Sequence, residues 1–275
     1  LRELAPAKVN VCLYLGPLRP DGYHELLSVI QSITLADELE LSDRDDGDDD
    51  EVRCPGLDGP NLAASAIAAF RASTGWDGPP QLLEITKRIP VAAGLGGGSA
   101  DAAATLRLLA RRSGSGTAEG LHEIATALGA DVPSQLHPGR WLAEGIGERL
   151  TRLPDPDDFG VVVLPSKAGL SAKAVYQEAD RLGLTRTSAE LEALLPTLTL
   201  PTIEPCNDLE PAARSLEPTI DDALTNLRGS IVSGSGPTVI GLFPTLEGAR
   251  NAADGLARRG LDAQAAGAVH NSSFA

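Results

Sequence analysis

Alternation of apolar and polar positions opens the chain. From Leu4 to Leu15, Ala7, Val9, Val11, Leu13 and Leu15 fall on one side of an extended strand, and Lys8, Asn10, Cys12 and Tyr14 fall on the other. Lys8 and Asn10 therefore point the same way, and an exposed strand face is the commoner setting for such a lysine. The turn Gly16-Pro17-Leu18-Arg19-Pro20-Asp21-Gly22 precedes Tyr23-His24-Glu25-Leu26-Leu27, and a further strand ends near Ile33 to Leu41. Leu62, Ala66, Ala69 and Phe70 give Asn61 to Ser73 a helical period, which Gly75 to Pro80 breaks. Leu83, Ile85 and Ile89 then alternate with Glu84, Thr86 and Arg88, as in a half-exposed antiparallel strand. Helical spacing returns through Ala102, Ala103, Leu106, Leu109 and Ala110 and stops at Ser113-Gly114-Ser115-Gly116. Thr117 caps a second helix through Leu121, Ile124, Ala125 and Leu128, with Gly129 as its stop.

The second half continues this α+β rhythm. Strands are predicted around Trp141 to Leu153 and Gly160 to Leu164, and helices near Ala172 to Leu182 and Ala189 to Leu195. Pro196 to Pro205 holds three prolines and reads as a connection, followed by helices from Asp208 to Leu216 and Thr219 to Leu227. Ser230 to Phe243 reads as strand, tight glycine turn, strand; Thr245 caps a helix through Ala249, Ala252, Ala253 and Leu256; Ala263 to Val269 is a last strand.

At 275 residues with 42% hydrophobic content, the chain can bury a sizeable core in one large domain or two moderate ones. A formal charge of −15 and a pI near 4.6 argue against nucleic acid or an anionic membrane as partner, although a few local cations still suffice for one phosphorylated small molecule. Cys12, Cys54 and Cys206 lie far apart without C-x-x-C spacing, and the four histidines show no ligand spacing, so neither a disulfide framework nor a protein-built metal site is expected. No apolar run approaches a membrane span, and Leu1-Arg2-Glu3-Leu4 lacks a signal-peptide core, so the reading is cytoplasmic. Asp43 to Glu51, almost wholly acidic, reads as a solvated loop tip because it lacks the EF-hand spacing.

The chemistry concentrates in Ile89-Pro90-Val91-Ala92-Ala93-Gly94-Leu95-Gly96-Gly97-Gly98-Ser99-Ala100-Asp101. A glycine-rich turn feeding a helix offers backbone N–H groups and the positive end of the helix dipole to anionic oxygens. Gly98 is followed by Ser99 and Ala100 rather than Lys-Ser/Thr, which disfavours a Walker-type ATPase, and the preceding strand does not fit a dinucleotide fingerprint. Ser99 could cap the helix or meet a phosphate, Asp131 could cap the turn after Gly129, and His24 beside Tyr23 could be ordinary packing.

The order of the pieces narrows these options. Pro-Ala-Lys-Val-Asn around Lys8, the Gly94 to Ala100 loop and the late Ser-Gly-Ser-Gly-Pro turn around Ser235 resemble the three motifs of the GHMP small-molecule kinases. Arg19 to Leu26, Leu128 to Pro133 and Asn207 to Glu210 resemble segments of a branch whose substrate carries cytidine. The resemblance implies two lobes, 1–153 (ribosomal protein S5 domain 2-like, ATP-binding) and 154–275 (ferredoxin-like), with the active site in the interlobe cleft. It implies transfer of the γ-phosphoryl of ATP, carried with Mg2+, to the 2-hydroxyl of CDP-methylerythritol in non-mevalonate isoprenoid synthesis. By motif position Asp131 is the general base and Lys8 orients it and offsets charge, with Asn10 on the same face. Pro90, Gly94, Leu95, Gly96, Gly97, Gly98, Ser99 and Ala100 hold the ATP phosphates. Tyr23, His24 and Tyr176 hold the cytosine, and Gly234, Ser235 and Gly236 shape the substrate side. Ala93 and Ala100 replace the Gly and second Ser of the pattern, and Ser134-Gln135 stand where apolar or aromatic residues are expected. Another kinase of the family, of homoserine or mevalonate type, and a non-catalytic binding protein of the same fold are the competing readings.

Overall fold

A computed structural model describes residues 1–57, 59–166, 168–199 and 203–270. The backbone resolves into two compact units that interleave along the chain. Unit 1 comprises Leu1–Ala7, Ala36–Ile89 and Gly96–Pro138; unit 2 comprises Lys8–Leu35, Pro90–Leu95 and the described residues from Gly139. Two long strands, β1 (Arg2–Leu18) and β2 (His24–Asp43), supply residues to both.

In unit 1 the second half of β2 pairs antiparallel with β4 (Gln81–Thr86), placing Leu39 opposite Ile85 and Leu41 opposite Leu83. The other edge of β4 takes the short parallel strand β3 (Glu51–Arg53). Helix α1 (Leu62–Thr74) starts where the Asn61 side chain accepts from the Ala63 amide, and ends at Gly75 in the left-handed conformation. Helix α2 (Gly97–Ser113) buries Ala100, Ala102, Ala103, Ala104, Leu106, Leu108 and Leu109, and small side chains on nearly every side allow a helix to be enclosed this way. Helix α3 (Ala118–Leu128) runs from its Thr117 cap to Gly129, and a five-residue helix α4 (Val132–Leu136) follows, which periodicity is too short to announce.

In unit 2, β1 and the first half of β2 form a hairpin closed across Arg19 and Tyr23. Strand β5 (Arg140–Gly145) joins β2 antiparallel and turns back as β6 (Arg149–Arg152). A second sheet centres on the fully buried β7 (Gly160–Leu164). Its antiparallel neighbours are β11 (Gln264–Gly267) and β10 (Val239–Phe243), and β10 carries β9 (Ile231–Val232) on its far edge. Helices α5 (Ala172–Leu182), α7 (Glu210–Leu216), α8 (Thr219–Asn226) and α9 (Leu246–Ala257) bury Val175, Ala179, Ala212, Ala213, Ile220, Ala249 and Ala253 in one core with Val162 and Val239. Helix α6 (Ser188–Leu198) packs Leu191 and Leu198 into another core, with Val11, Leu27 and Val29.

Four expectations are corrected. Strand β1 has no exposed face in its middle: Ala5 to Gly16 are all buried, so protein covers both of its faces. Helix α6 continues through Pro196 rather than ending before it. A short strand β8 (Cys206–Asn207) runs parallel to β1, so α7 begins at Glu210 and not at Asp208. Asp208 instead accepts from the Leu15 amide and from the Arg186 guanidinium. The acidic segment is tied down as well: Asp50 accepts from Arg71 and from the Gln81 amide, Arg44 bridges Asp46 and Glu51, and Asp43 pairs with Arg112. The last described stretch before residue 200 leaves the proline-rich connection partly outside the described residues.

Phe70 is fully buried in unit 1, edge-on to Trp76 with centroids 6.2 Å apart. Phe70→Ala is expected to lower unfolding free energy by about 3–5 kcal/mol, read from denaturant titration.

Candidate active site

Within unit 2, β1 presents a chain of buried polar groups. Lys8 Nζ donates to Asn10 Oδ1 at 3.0 Å, Asn10 Nδ2 donates to Ser28 Oγ at 2.8 Å, and the Ser28 hydroxyl donates to the Cys12 carbonyl at 2.6 Å. The Asn10 amide donates to Ser233 Oγ at 3.3 Å. Lys8 is 6% exposed and Asn10 5%, so the expectation of a solvated strand-face lysine is wrong. A buried ammonium has to be met by oxygen acceptors, and the alternation of β1 puts Asn10 on the same face to meet it.

Two glycine turns close on this chain. The Lys8 amide donates to the Leu95 carbonyl at 2.9 Å. Gly94 has φ +74°, and a Cβ there would stand 2.7 Å from the Gly236 carbonyl oxygen. A Cβ on Gly234 would stand 3.1 Å from Asn10 Oδ1 and 3.8 Å from Lys8 Nζ. A side chain at Gly94 would force apart two backbones that touch, and one at Gly234 would press on the Asn10 side chain. Asn207, for which sequence reasoning had no role, holds the second turn: its Nδ2 donates to the Val232 and Gly234 carbonyls, each at 2.7 Å, and its Oδ1 accepts from the Leu209 amide. Ser235 and Pro90 are half-buried beside these turns in the chain. Ala93 is buried without a left-handed φ, so its Cβ is accommodated where the family pattern has glycine.

A ring pair lies elsewhere in unit 2. His24 is buried, with Nδ1 3.0 Å from the Gly16 carbonyl oxygen and Nε2 3.0 Å from Asp180 Oδ1, the latter not aligned as a hydrogen bond. Tyr176 stacks on it at 5.9 Å and 21° between planes. Tyr23 is 61% exposed, a large aromatic ring left to solvent. Its amide donates to Asp21 Oδ1, and that bond, with Arg19 beside it, holds the Asp21 carboxyl below the usual range although burial acts the other way.

Unit 1 holds the helix start. Gly96, with φ +68°, is the N-cap of α2, no side chain caps it, and its first turn carries no acidic residue. Ser99 therefore does not cap the helix: it is the third residue of the first turn, and the N–H groups ahead of Ala100 belong to the glycines and Ser99. A Cβ on Gly97 would stand 3.1 Å from Ile89 Cγ2, whereas around Gly98 there is open space. Uncapped amides, a positive dipole end and room for an approaching group fit a phosphate.

Beneath this turn lies a charged cluster that no sequence motif announced. Lys87 Nζ donates to Asp37 at 2.5 Å and to Asp101 at 2.7 Å, and Asp37 also accepts from the Arg88 and Ile89 amides. Burial disfavours the Lys87 charge, but the Asp101 and Asp37 carboxylates raise its pKa above the usual range. Burial pushes Asp101 up to about 7; Lys87 opposes that rise and Asp37 adds to it. Asp37 lies on β2, Lys87 just past the end of β4 and Asp101 on α2, so only folding reveals the cluster.

Asp131 is half-buried at the start of α4, and its side chain makes no capping bond. The Ser134 hydroxyl donates to its carbonyl at 2.9 Å.

Residues 61–139 match the sequence profile described as the GHMP kinases N terminal domain, and 189–262 match that of the GHMP kinases C terminal. A 4-diphosphocytidyl-2-C-methyl-D-erythritol kinase from Anaeromyxobacter sp. (strain K) is 41% identical over 266 residues, covering 92% of this chain and 84% of that one. The chain belongs to the GHMP kinases. A second relative of the same name, from Streptomyces coelicolor, is 42% identical over 255 residues, covering 85% of this chain and 84% of its own. The crystal structure of a 4-(cytidine 5'-diphospho)-2C-methyl-D-erythritol kinase superposes with a TM-score of 0.82 at 33% identity, covering 98% of this GHMP kinase and 99% of that chain. The mixed α/β fold and the enzyme class, an ATP-dependent kinase, follow from these matches. Among the described residues, no helix of this kinase is long and apolar enough to cross a membrane.

Two outcomes follow. Gly94→Ala places a Cβ against the Gly236 carbonyl in a left-handed backbone and is expected to cost about 1–3 kcal/mol of stability, read from thermal or denaturant unfolding. For Asp101, the folded state keeps its proton up to about pH 7, whereas an unperturbed Asp loses it near 3.8. The folded state then binds more protons than the unfolded one between these values, so the stability Asp101 contributes falls as pH rises across that window. Asp101→Asn removes the titration, so its stability relative to the parent kinase should climb from about pH 4 to about pH 7 and level off above.

Proposed function

We propose that this GHMP kinase transfers the γ-phosphoryl of ATP to the 2-hydroxyl of 4-diphosphocytidyl-2-C-methyl-D-erythritol, a step of non-mevalonate isoprenoid precursor synthesis in the cytoplasm. The observation that carries the reading is the ring site: a buried His24 fixed to the Gly16 carbonyl and stacked on Tyr176, next in sequence to an exposed Tyr23. A flat heterocycle such as cytosine uses stacking faces and an oriented ring nitrogen, whereas homoserine and mevalonate have no ring to grip. The names of the relatives point the same way.

In this reading the backbone of Pro90, Gly94, Leu95 and Gly96 to Ala100 binds the ATP phosphates, with the open N-terminus of α2 supplying N–H donors and dipole. Mg2+ enters with the triphosphate and neutralises charge on its oxygens. The substrate's own phosphates lie along the Gly234-Ser235-Gly236 turn, and Tyr23, His24 and Tyr176 hold its base. Asp131 accepts the hydroxyl proton. Lys8 offsets charge developing on the transferred group and orients the carboxylate, and Asn10 steers the ammonium through its 3.0 Å bond. Phosphoryl transfer through a loose transition state asks the protein mainly for positioning and charge stabilisation, which backbone amides, one cation and one carboxylate provide. A lobe division after Leu153, which separates the two profile matches, belongs to the same proposal.

The test is ADP formation from ATP and Mg2+ with the cytidine compound, with mevalonate and homoserine in parallel. ADP only with the cytidine compound supports the reading, and ADP with another alcohol overturns the substrate. Asp131→Asn is expected to lower turnover at least ~100-fold while calorimetric binding of the cytidine compound persists.

A further inference from the structure

The helix that starts at Asp131 is too short to place itself. Five residues cannot offset the cost of nucleating a helix, so the position of α4 is decided by what holds it from outside. Every residue of it is buried, yet two of them, Ser134 and Gln135, are polar and stand where apolar or aromatic side chains were expected. The fold uses both. Gln135 Nε2 donates to the Pro6 carbonyl on β1 at 3.0 Å. The Gln135 carbonyl, one of the last in the helix, accepts from Arg107 Nη1 of α2 at 2.5 Å, and Arg107 Nη2 reaches the Leu4 carbonyl of β1 at 3.0 Å. Ser134 closes the other end with its bond to the Asp131 carbonyl. All these groups lie in unit 1, and together they tie α4 to β1 on one side and to α2 on the other.

Apolar side chains would hold such a helix by non-directional contact, which tolerates small slides. Hydrogen bonds from Gln135 and Arg107 to backbone carbonyls set distance and angle instead. We propose that Gln135, with Arg107 and Ser134, is a positioning residue that sets the Asp131 carboxylate for proton acceptance. The inference rests on Asp131 being the base.

The test is a double-mutant cycle. Gln135→Met keeps the volume and removes the donor. It is expected to lower kcat about tenfold with KM for ATP and for the cytidine compound within about twofold, because misplacement of a catalytic group acts on the transition state. In an Asp131→Asn background the same substitution is expected to cost nothing further, since the group it positions is gone. Ser134→Ala, a milder change, is expected to give a smaller kcat loss that likewise vanishes in that background, and it serves if Gln135→Met does not fold. An unchanged kcat with a lowered melting temperature, or an equal loss in both backgrounds, overturns the proposal and leaves Asp131 as the base. Near-normal turnover of Asp131→Asn alone overturns the base assignment itself and the positioning role with it, a result distinct from the others.

Discussion

An ammonium group enclosed in the middle of a buried strand has to find its solvent in the protein, and much of unit 2 is arranged around that demand. Lys8 is met by Asn10, Asn10 by Ser28 and Ser233, and Ser28 by the Cys12 carbonyl. Each group in the series spends its hydrogen-bonding capacity on the next, so none is adjustable alone. The same demand governs the turns. Gly234 lies against Asn10, Gly94 lies against Gly236, and Asn207 clamps the Val232–Gly234 backbone from β8. Glycine is required there because both backbones are left-handed and a Cβ would meet the Gly236 carbonyl at one position and the Asn10 side chain at the other.

Unit 1 solves a different problem, holding a bare helix terminus in place without covering it. The start of α2 has no capping side chain and no acidic residue, which leaves its amides for an anion. Rigidity comes from below. Asp37 takes the Arg88 and Ile89 amides, and Lys87 bridges Asp37 to Asp101 on α2 itself. Burial is the main reason the Asp101 pKa is raised, Lys87 opposes the rise and the neighbouring Asp37 adds to it. The alanines of α2 let neighbouring elements close around it, and Asp37 and Asp101 are buried.

Much of the fold was legible from local pattern. Asn61, Thr117 and Thr245 announce helix starts, Gly75, Gly114 and Gly129 announce ends, and the alternation through Leu83 and Ile85 announces β4, because each of these signals is decided within a few residues. What failed was decided at a distance. Strand β8 has only two residues and exists because β1 offers it an edge, and α4 is held by Val132 and Leu136 packing into the core together with the bonds of Gln135 and Arg107. The acidic run at Asp43 to Glu51 reads as solvated until Arg71 and Arg112 arrive from other elements to pair with it.

The sequence by itself determined the kinds of group available: a glycine turn entering a helix, Lys8 and Asn10 two residues apart on one strand face, an aromatic beside a histidine, and an order of motifs resembling the GHMP kinases. These are properties of spacing and composition, and they survive in an unfolded chain. Only the tertiary structure decided that Lys8 is buried, that Gly94 touches Gly236, that Tyr176 stacks on His24, and that Asp37, Lys87 and Asp101 share one cluster. The physical reason is that burial, close approach and charge pairing are relations between residues distant along the chain, and they come into being when the core excludes water and brings those residues within a few ångströms of one another.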